Sequence, residues 1–329
     1  MADALRIAAW SVGEHAQRNT LPAINDSSLC ALHGVYSRDP KTRALVASRY
    51  DCIDYPDAQA LLEDHAVDAV YLAGPTSTHF AAAKRALLSG KHVVVEKTAF
   101  ATQQEAEEVV STATDRGLMV MEAFMYRFHP QYSAVRDVIV SERYGRLLDM
   151  RVRFGFPHLD PTNIRYSTSL AGGALNDAGA YTLSLASGVL GNDAEVLFAN
   201  QFFQGSHTVD TRGVAVIGDV SGRRCYCAWM FGGSYANDLD CWLEGAHLRT
   251  ERIFSKPPTF APSVEISANG KVVESISVEA SNHFVTLFDE AARAIREPEL
   301  AALQRSQLLT QARLMASVRH AGSQNSGAA

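Results

Sequence analysis

Cysteine is scarce: only 5 of the 329 residues, namely Cys30, Cys52, Cys225, Cys227 and Cys241. The count is odd, and the spacings fit neither a disulfide framework nor a zinc-ligand set, so no staple and no metal is expected. Cys225 and Cys227 are separated by one residue, which on a strand turns both thiols to one face. They read as two small buried side chains or, alternatively, as a redox or metal pair. Long apolar runs are also missing, since none approaches the roughly 18–20 residues of a membrane span. The start, Met1-Ala2-Asp3-Ala4-Leu5-Arg6, lacks a basic stretch followed by an apolar one and a cleavage site. A cytoplasmic protein without a membrane partner is the expectation. Charge of one sign is nearly balanced too: Lys+Arg 30 against Asp+Glu 36 leaves −6. That argues against nucleic acid as a partner.

What is present suits a globular protein, with 47% hydrophobic and 20% charged residues. The length allows about two domains, large enough to bury a core without covalent help. Residues 5–10, 31–36, 68–73, 92–95 and 118–121 are short apolar runs. Between them lie helical stretches at 19–24, 56–63, 78–88 and 102–115, and Asp39-Pro40 has the form of a helix start. Strands this apolar, alternating with helices, call for a parallel sheet covered on both faces. After about residue 125 the rhythm changes. A helix is predicted over 130–140 and a strand of period two over 147–156. Ala171-Gly172-Gly173 then leads into a helix reaching about residue 190. Runs at 196–203, 213–219, 224–231, 240–244, 264–267 and 272–278 read as an antiparallel sheet with helices on one face. Helices follow at 281–296 and 301–316, then a small polar tail from Gly322, expected to be disordered.

The fold class is therefore α/β: a doubly wound domain of Rossmann type over 1–125, then an α+β domain over 126–329. The latter holds a large, mostly antiparallel, open-faced sheet, and the final helix is allowed to pack back on the first domain. Cys225, Cys227, Trp229 and Phe231 are expected to line the uncovered face of that sheet. An apolar face of that size calls for a second copy, as a homodimer or dimer of dimers.

In a doubly wound domain the first strand-to-helix turn faces the phosphates, because the helix start offers free amides and the positive dipole end. Here it reads Trp10-Ser11-Val12-Gly13-Glu14-His15-Ala16. Against G-x-G-x-x-G/A, Gly13 and Ala16 are in place and Ser11 stands first; an ordinary turn is the alternative reading. The second strand ends not in an acid but in Tyr36-Ser37-Arg38. A hydroxyl and a guanidinium suit a 2′-phosphate and favour NADP over NAD. Otherwise Arg38 is a solvated neighbour of the Asp39 cap.

Gly90-Lys91-His92-Val93-Val94-Val95-Glu96-Lys97-Thr98 resembles the G-K-H-V-x-x-E-K-P signature of the glucose-fructose oxidoreductase, inositol dehydrogenase and rhizopine catabolism family. Gly74-Pro75-Thr76-Ser77-Thr78-His79 resembles its x-P-N-x-x-H turn. Met121-Glu122-Ala123-Phe124-Met125-Tyr126-Arg127-Phe128-His129-Pro130-Gln131 is similar to the exit from its nucleotide domain, nearest to sugar ketoreductases and trans-dihydrodiol dehydrogenases. The run from Ala171 to Tyr181 resembles its G-G-G-x-L-x-D-x-G-x-Y/H helix, and Asn282-His283-Phe284 with Ala294-Ile295-Arg296 fits its C-terminal part.

The resemblance implies an NADP(H)-dependent oxidoreductase, moving hydride between nicotinamide and a ring carbon of a sugar, keto-sugar or cyclic polyol. It implies Tyr181 as the acid/base, Lys97 as its electrostatic partner, and Asp177 as a substrate or orienting contact. It extends cofactor contacts to Ser11, Gly13, Glu14, His15, Ser37, Arg38, Pro75, Thr76, His79, Glu96, Lys97, Arg127 and Arg165. The chemistry agrees: hydride transfer needs a proton at the oxygen, and an ammonium beyond a central parallel strand can stabilise an alkoxide. Plainer readings stand beside these. Glu96 can be a structural partner of Lys97, Arg127 and Arg165 can be surface ion pairs, and His79 and His129 can be packed histidines. Two departures bear on geometry: Thr98 replaces the proline after the lysine, and Ser11 replaces the first glycine. A trans-dihydrodiol or aldose dehydrogenase holding NADP tightly, or a catalytically silent nucleotide sensor, are the alternatives.

Overall fold

A computed structural model describes residues 4–204 and 208–325. Two units are distinguished, Met1–Phe124 with Phe284–Leu309 and Met125–His283 with Thr310–Ala329. The first holds six parallel strands, β1 (Leu5–Trp10), β2 (Cys30–Tyr36), β3 (Ile53–Asp54), β4 (Ala69–Leu72), β5 (His92–Val95) and β6 (Val120–Glu122), in the order β3-β2-β1-β4-β5-β6. All four residues of β4 are buried, as coverage on both faces requires. The intervening helices are α1 (Leu21–Asp26), α2 (Pro40–Tyr50), α3 (Ala58–Glu63), α4 (Thr76–Leu88) and α5 (Gln103–Asp115). Their starts follow the capping signals. Asp39 accepts from the amides of Lys41 and Thr42, and Thr102 and Glu105 form a capping box.

The second unit carries α6 (Pro130–Val140), α7 (Ala180–Leu190) and an eight-stranded sheet. Its strands are β7 (Leu147–Phe156), β8 (Glu195–Phe202), β9 (Arg212–Gly218), β10 (Arg224–Phe231), β11 (Ala236–Leu243), β12 (His247–Glu251), β13 (Ser263–Ala268) and β14 (Lys271–Ser277). The order is β14-β13-β12-β11-β7-β10-β9-β8, antiparallel except where β10 runs parallel to β7. β12 carries no apolar run in the sequence, because only Leu248 and Thr250 of its five residues turn inward.

The expected apolar outer face is corrected by the structure. Cys225, Cys227, Trp229 and Phe231 are all at most 2% exposed, and β10 packs that face against α7, where Cys227 Sγ lies 3.6 Å from the Thr182 carbonyl. The open face carries the other parity. One register row runs Phe198, Val216, Tyr226, Arg151, Asp240, Arg249. Half of it is apolar and half is an ion-pair ladder, with Arg249 on Asp240 at 2.9 Å, and in the next row of the same face Arg153 is bidentate on Asp238 at 3.0 and 3.1 Å.

Late in the chain, α8 (His283–Arg296) from Phe284 onward belongs to the first unit. Phe288 meets the Tyr71 ring edge-on at 5.3 Å, and Ser27 Oγ donates to Asp289 at 2.5 Å. The last helix, α9 (Pro298–Asn325), donates from Arg305 to the Leu118 carbonyl in the first unit, and beyond Leu309 from Gln311 to the Ala180 carbonyl in the second. It runs through Gly322 to Asn325, where a disordered tail was expected; residues 326–329 lie outside the described residues. Among the described residues, no helix is long and apolar enough to cross a membrane, and no cluster of three or more His, Cys, Asp or Glu suits a metal ion.

Candidate active site

In the first unit the carboxyl edge of the parallel sheet gathers most of the candidate residues: Ser11 and Gly13 after β1, Ser37 and Arg38 after β2, Pro75 and Thr76 after β4, Glu96 and Lys97 after β5. Open α/β sheets bind ligands along this edge. Ser11 takes φ 78, the left-handed conformation that the first glycine of the fingerprint supplies at no steric cost. Its amide donates to the Tyr36 carbonyl at 2.7 Å. A Cβ on Gly74 would lie 3.2 Å from the Ser11 hydroxyl, so the serine packs on the turn after β4.

Helical backbone begins at Glu14 and continues through a π-helical stretch, Ala16–Thr20, into α1, with no side-chain cap at its start. A Cβ on Gly13 would meet nothing within 4 Å. An uncapped helix start beside an open glycine fits a dinucleotide pyrophosphate. Arg38 is exposed and Ser37 half-buried, and both follow β2 at the carboxyl edge of the sheet. Glu14 spends its carboxylate on Arg18, which leaves it only a backbone amide to offer a phosphate. His15 accepts from Asn19 Nδ2 at 3.1 Å, and its Nε2 lies 3.8 Å from Glu96 Oε1.

Glu96 is a junction. Its Oε1 accepts from the Tyr71 hydroxyl at 2.5 Å and its Oε2 from the Lys97 amide at 3.2 Å. Tyr71 escaped the sequence reading because it sits inside an apolar strand; the available signal was a buried tyrosine hydroxyl, which needs a partner. The Lys97–Thr98 peptide is cis. The segment after it is tied down twice, by the Ala99 amide on Glu122 at 2.9 Å and by His79.

His79, a cofactor contact on the resemblance and a packed histidine on the plainer reading, is packed. It is 1% exposed, with Nε2 2.8 Å from the Gly74 carbonyl and Nδ1 3.0 and 3.2 Å from the carbonyls of Ala99 and Thr98. Backbone carbonyls face both ring nitrogens, and burial lowers the imidazole pKa, so the neutral ring donates on one side only. It packs between the Lys97 segment and the turn after β4.

In the second unit, helical backbone from Ala174 passes through a π-helical turn, Leu175–Gly179, into α7. Asp177 lies in the π turn and Tyr181 four residues on. Tyr181 is 6% exposed among the rings of Tyr126, Phe154 and Phe254, at 6.1, 5.1 and 5.3 Å, with its hydroxyl 3.4 Å from Met125 Sδ. Arg165 Nε donates to Asp177 at 2.6 Å, and that carboxylate holds the guanidinium even more firmly protonated. Arg165 thus orients Asp177. Arg127, read as a contact to cofactor or substrate, donates from Nε to Ser184 Oγ at 3.1 Å and from Nη2 to the Ser184 carbonyl at 3.0 Å, clamping α7. His129 is packed, as the plainer reading had it: it is wholly buried and caps α6 by accepting from the Gln131 amide.

Two family profiles match this chain. One, described as an oxidoreductase family with an NAD-binding Rossmann fold, covers residues 11–124, and the GFO/IDH/MocA C-terminal domain covers residues 132–248. The dTDP-3,4-didehydro-2,6-dideoxy-alpha-D-glucose 3-reductase of Streptomyces violaceoruber is 32% identical over 88% of this chain and 86% of its own. The chain belongs to the GFO/IDH/MocA family. The enzyme of the same name from Saccharopolyspora spinosa is 29% identical over 97% of both chains. Among solved structures, a 3-ketoreductase from Actinomadura kijaniata in complex with NADP and TDP-benzene superimposes with a TM-score of 0.91, at 28% identity over 97% of this chain and 98% of the other. The resemblance drawn from the sequence motifs is borne out, as is the fold class, and this GFO/IDH/MocA member is an NAD(P)-dependent oxidoreductase.

Proposed function

We propose that this oxidoreductase is an NADP(H)-dependent ketoreductase of a nucleotide-linked deoxysugar, reducing a ring ketone to an alcohol. The observation that carries the substrate class is the match, over nearly nine tenths of the chain or more, to reductases of one dTDP-linked 3-keto-sugar. The cofactor choice rests on Ser37 and Arg38 at the end of β2, where an acid would favour NAD. Ser11, Gly13 and the amides that open the following helix hold the pyrophosphate; Pro75, Thr76 and Glu96 border the remainder. When bound, the reduced nicotinamide supplies the hydride.

The chain's own residues handle the proton. The Tyr181 hydroxyl donates to the carbonyl oxygen as negative charge develops there, and the Lys97 ammonium stabilises both that charge and the phenolate left behind. The aromatic walls around Tyr181 limit solvent near the hydroxyl. Asp177, held by Arg165, faces the sugar as an acceptor for ring hydroxyls. A homodimer forms through the open face of the eight-stranded sheet.

The test is NADPH oxidation with dTDP-3,4-didehydro-2,6-dideoxy-α-D-glucose and with other keto-sugars lacking the nucleotide. Turnover is expected only with the nucleotide-linked sugar, falling at least about a hundredfold in Tyr181→Phe. Equal turnover of sugars without the nucleotide removes the substrate class, and undiminished turnover by Tyr181→Phe removes the mechanism.

A further inference from the structure

Asp210 sits in the connection from β8 to β9, outside every motif, yet is 6% exposed. Its carbonyl accepts from the Ala174 amide at 2.9 Å. Its Oδ2 accepts from the Leu175 amide at 2.8 Å and from Trp229 Nε1 at 3.2 Å. A hydrogen bond from Gln201 and the positive charge of Arg319 add to these, but burial still holds the carboxyl above its usual range. A helix can be started with a neutral oxygen, without desolvating a charge.

The surroundings are built around it. Gly173, at φ +114, could not carry a Cβ, which would lie 2.5 Å from Asp210 Oδ1. Beneath the same segment, a Cβ on Gly179 would lie 2.9 Å from Trp229 Cδ2. The carboxylate is wedged between the start of the helical run and the indole that supports it. Between those two points lies the π-helical turn carrying Asp177, with Tyr181 just beyond. Such turns are recurrent at functional sites, and a small shift at Leu175 passes directly into the aim of both side chains.

We propose that Asp210 is a positioning residue for the proton-transfer side of the site, fixing through the Leu175 amide and Trp229 where Asp177 and Tyr181 point. This rests on the reading of Tyr181 as proton donor. The test measures kcat and KM for the dTDP-linked keto-sugar, and NADPH affinity by fluorescence, in Asp210→Ala, Asp210→Asn, Trp229→Phe and Tyr181→Phe. Asp210→Ala is expected to lower kcat roughly ten- to a hundredfold, as a small misplacement does, while KM and the NADPH Kd stay within about twofold. Asp210→Asn restores kcat to within about threefold, because its amide oxygen accepts the same two N–H groups. Trp229→Phe, expected to lower kcat several-fold, decides the matter if the alanine variant does not fold. Wild-type kcat in a folded Asp210→Ala, or in Trp229→Phe where that variant stands in for it, overturns the assignment. So does an asparagine variant no faster than the alanine one. If Tyr181→Phe turns over at the wild-type rate, or the wild type does not turn over at all, the reading beneath the assignment fails and takes it along.

Discussion

Arg165 donates from Nε to Oδ2 of Asp177 at 2.6 Å, four residues ahead of Tyr181. The pair is only partly solvated, with side-chain exposures of 39% and 15%, so it fixes the carboxylate rather than merely decorating the surface. Arg165→Met is therefore expected to lower kcat/KM by more than about tenfold, with the NADPH Kd unchanged within about twofold. Steady-state kinetics beside a fluorescence titration with NADPH checks this. An unchanged kcat/KM would return Arg165 to the surface ion pairs.

Arg38 follows β2 with no acid at the strand end to compete for the ribose. A charge-assisted contact contributes about 1.5–3 kcal/mol, so Arg38→Ala should weaken NADPH roughly ten- to a hundredfold and leave NADH nearly unaffected. Titration of both reduced cofactors measures the difference. Equal weakening of the two would place Arg38 away from the 2′-phosphate.

Ser11 holds φ 78 without being glycine. A non-glycine residue there costs roughly 1–2 kcal/mol, and a β-branched one more, while glycine gives part of the gain back through the freedom of its unfolded chain. Ser11→Gly should leave the thermal midpoint unchanged or slightly raised, and Ser11→Val should lower it by several degrees. Calorimetry gives the order directly; a valine variant as stable as the wild type would contradict the left-handed turn.

The parallel sheet was legible because β4 and the Val93–Val95 stretch of β5 are short apolar, buried runs, as a sheet covered on both faces demands. The fingerprint residues were legible because their types and spacing carry a mechanism. The covering of the second sheet was not. Alternation along β10 separates Cys225, Cys227, Trp229 and Phe231 from Tyr226 and Met230, but does not say which set the chain's own α7 will cover. Nor does a residue name reveal its partner. The resemblance made His79, Arg127 and Arg165 cofactor contacts, but His79 meets the Ala99 carbonyl 20 residues on, Arg127 holds Ser184 57 residues on, and Arg165 holds Asp177 12 residues on. Asp210 belongs to no motif, so only the fold brings it beneath Leu175.

That open face yields its own prediction. Tyr226 and Met230 are 46% and 38% exposed, beside Phe198 at 47%, and a dimer would cover them. Tyr226→Asp should lower the light-scattering mass from that of two chains to one at micromolar concentration, because a carboxylate there must be desolvated in the interface. A wild-type mass of one chain would remove the dimer.

Lys256 is 6% exposed and donates to the Ile253 carbonyl at 3.1 Å, and burial pulls its pKa from 10.5 to about 7. Between those values the unfolded chain binds a proton that the folded one does not, so this residue makes stability rise with pH from about 7 to 10.5. Below 7 the folded protein carries a buried ammonium, whose charge also helps burial hold the neighbouring His129 down at about 4. Methionine keeps most of the aliphatic stem and removes the charge. Lys256→Met should therefore raise stability by roughly 3–5 kcal/mol near pH 6.5, with most of that gain gone near pH 10. Thermal midpoints of wild type and variant across that range measure the difference. A gain independent of pH would mean that Lys256 is neutral, or solvated, throughout.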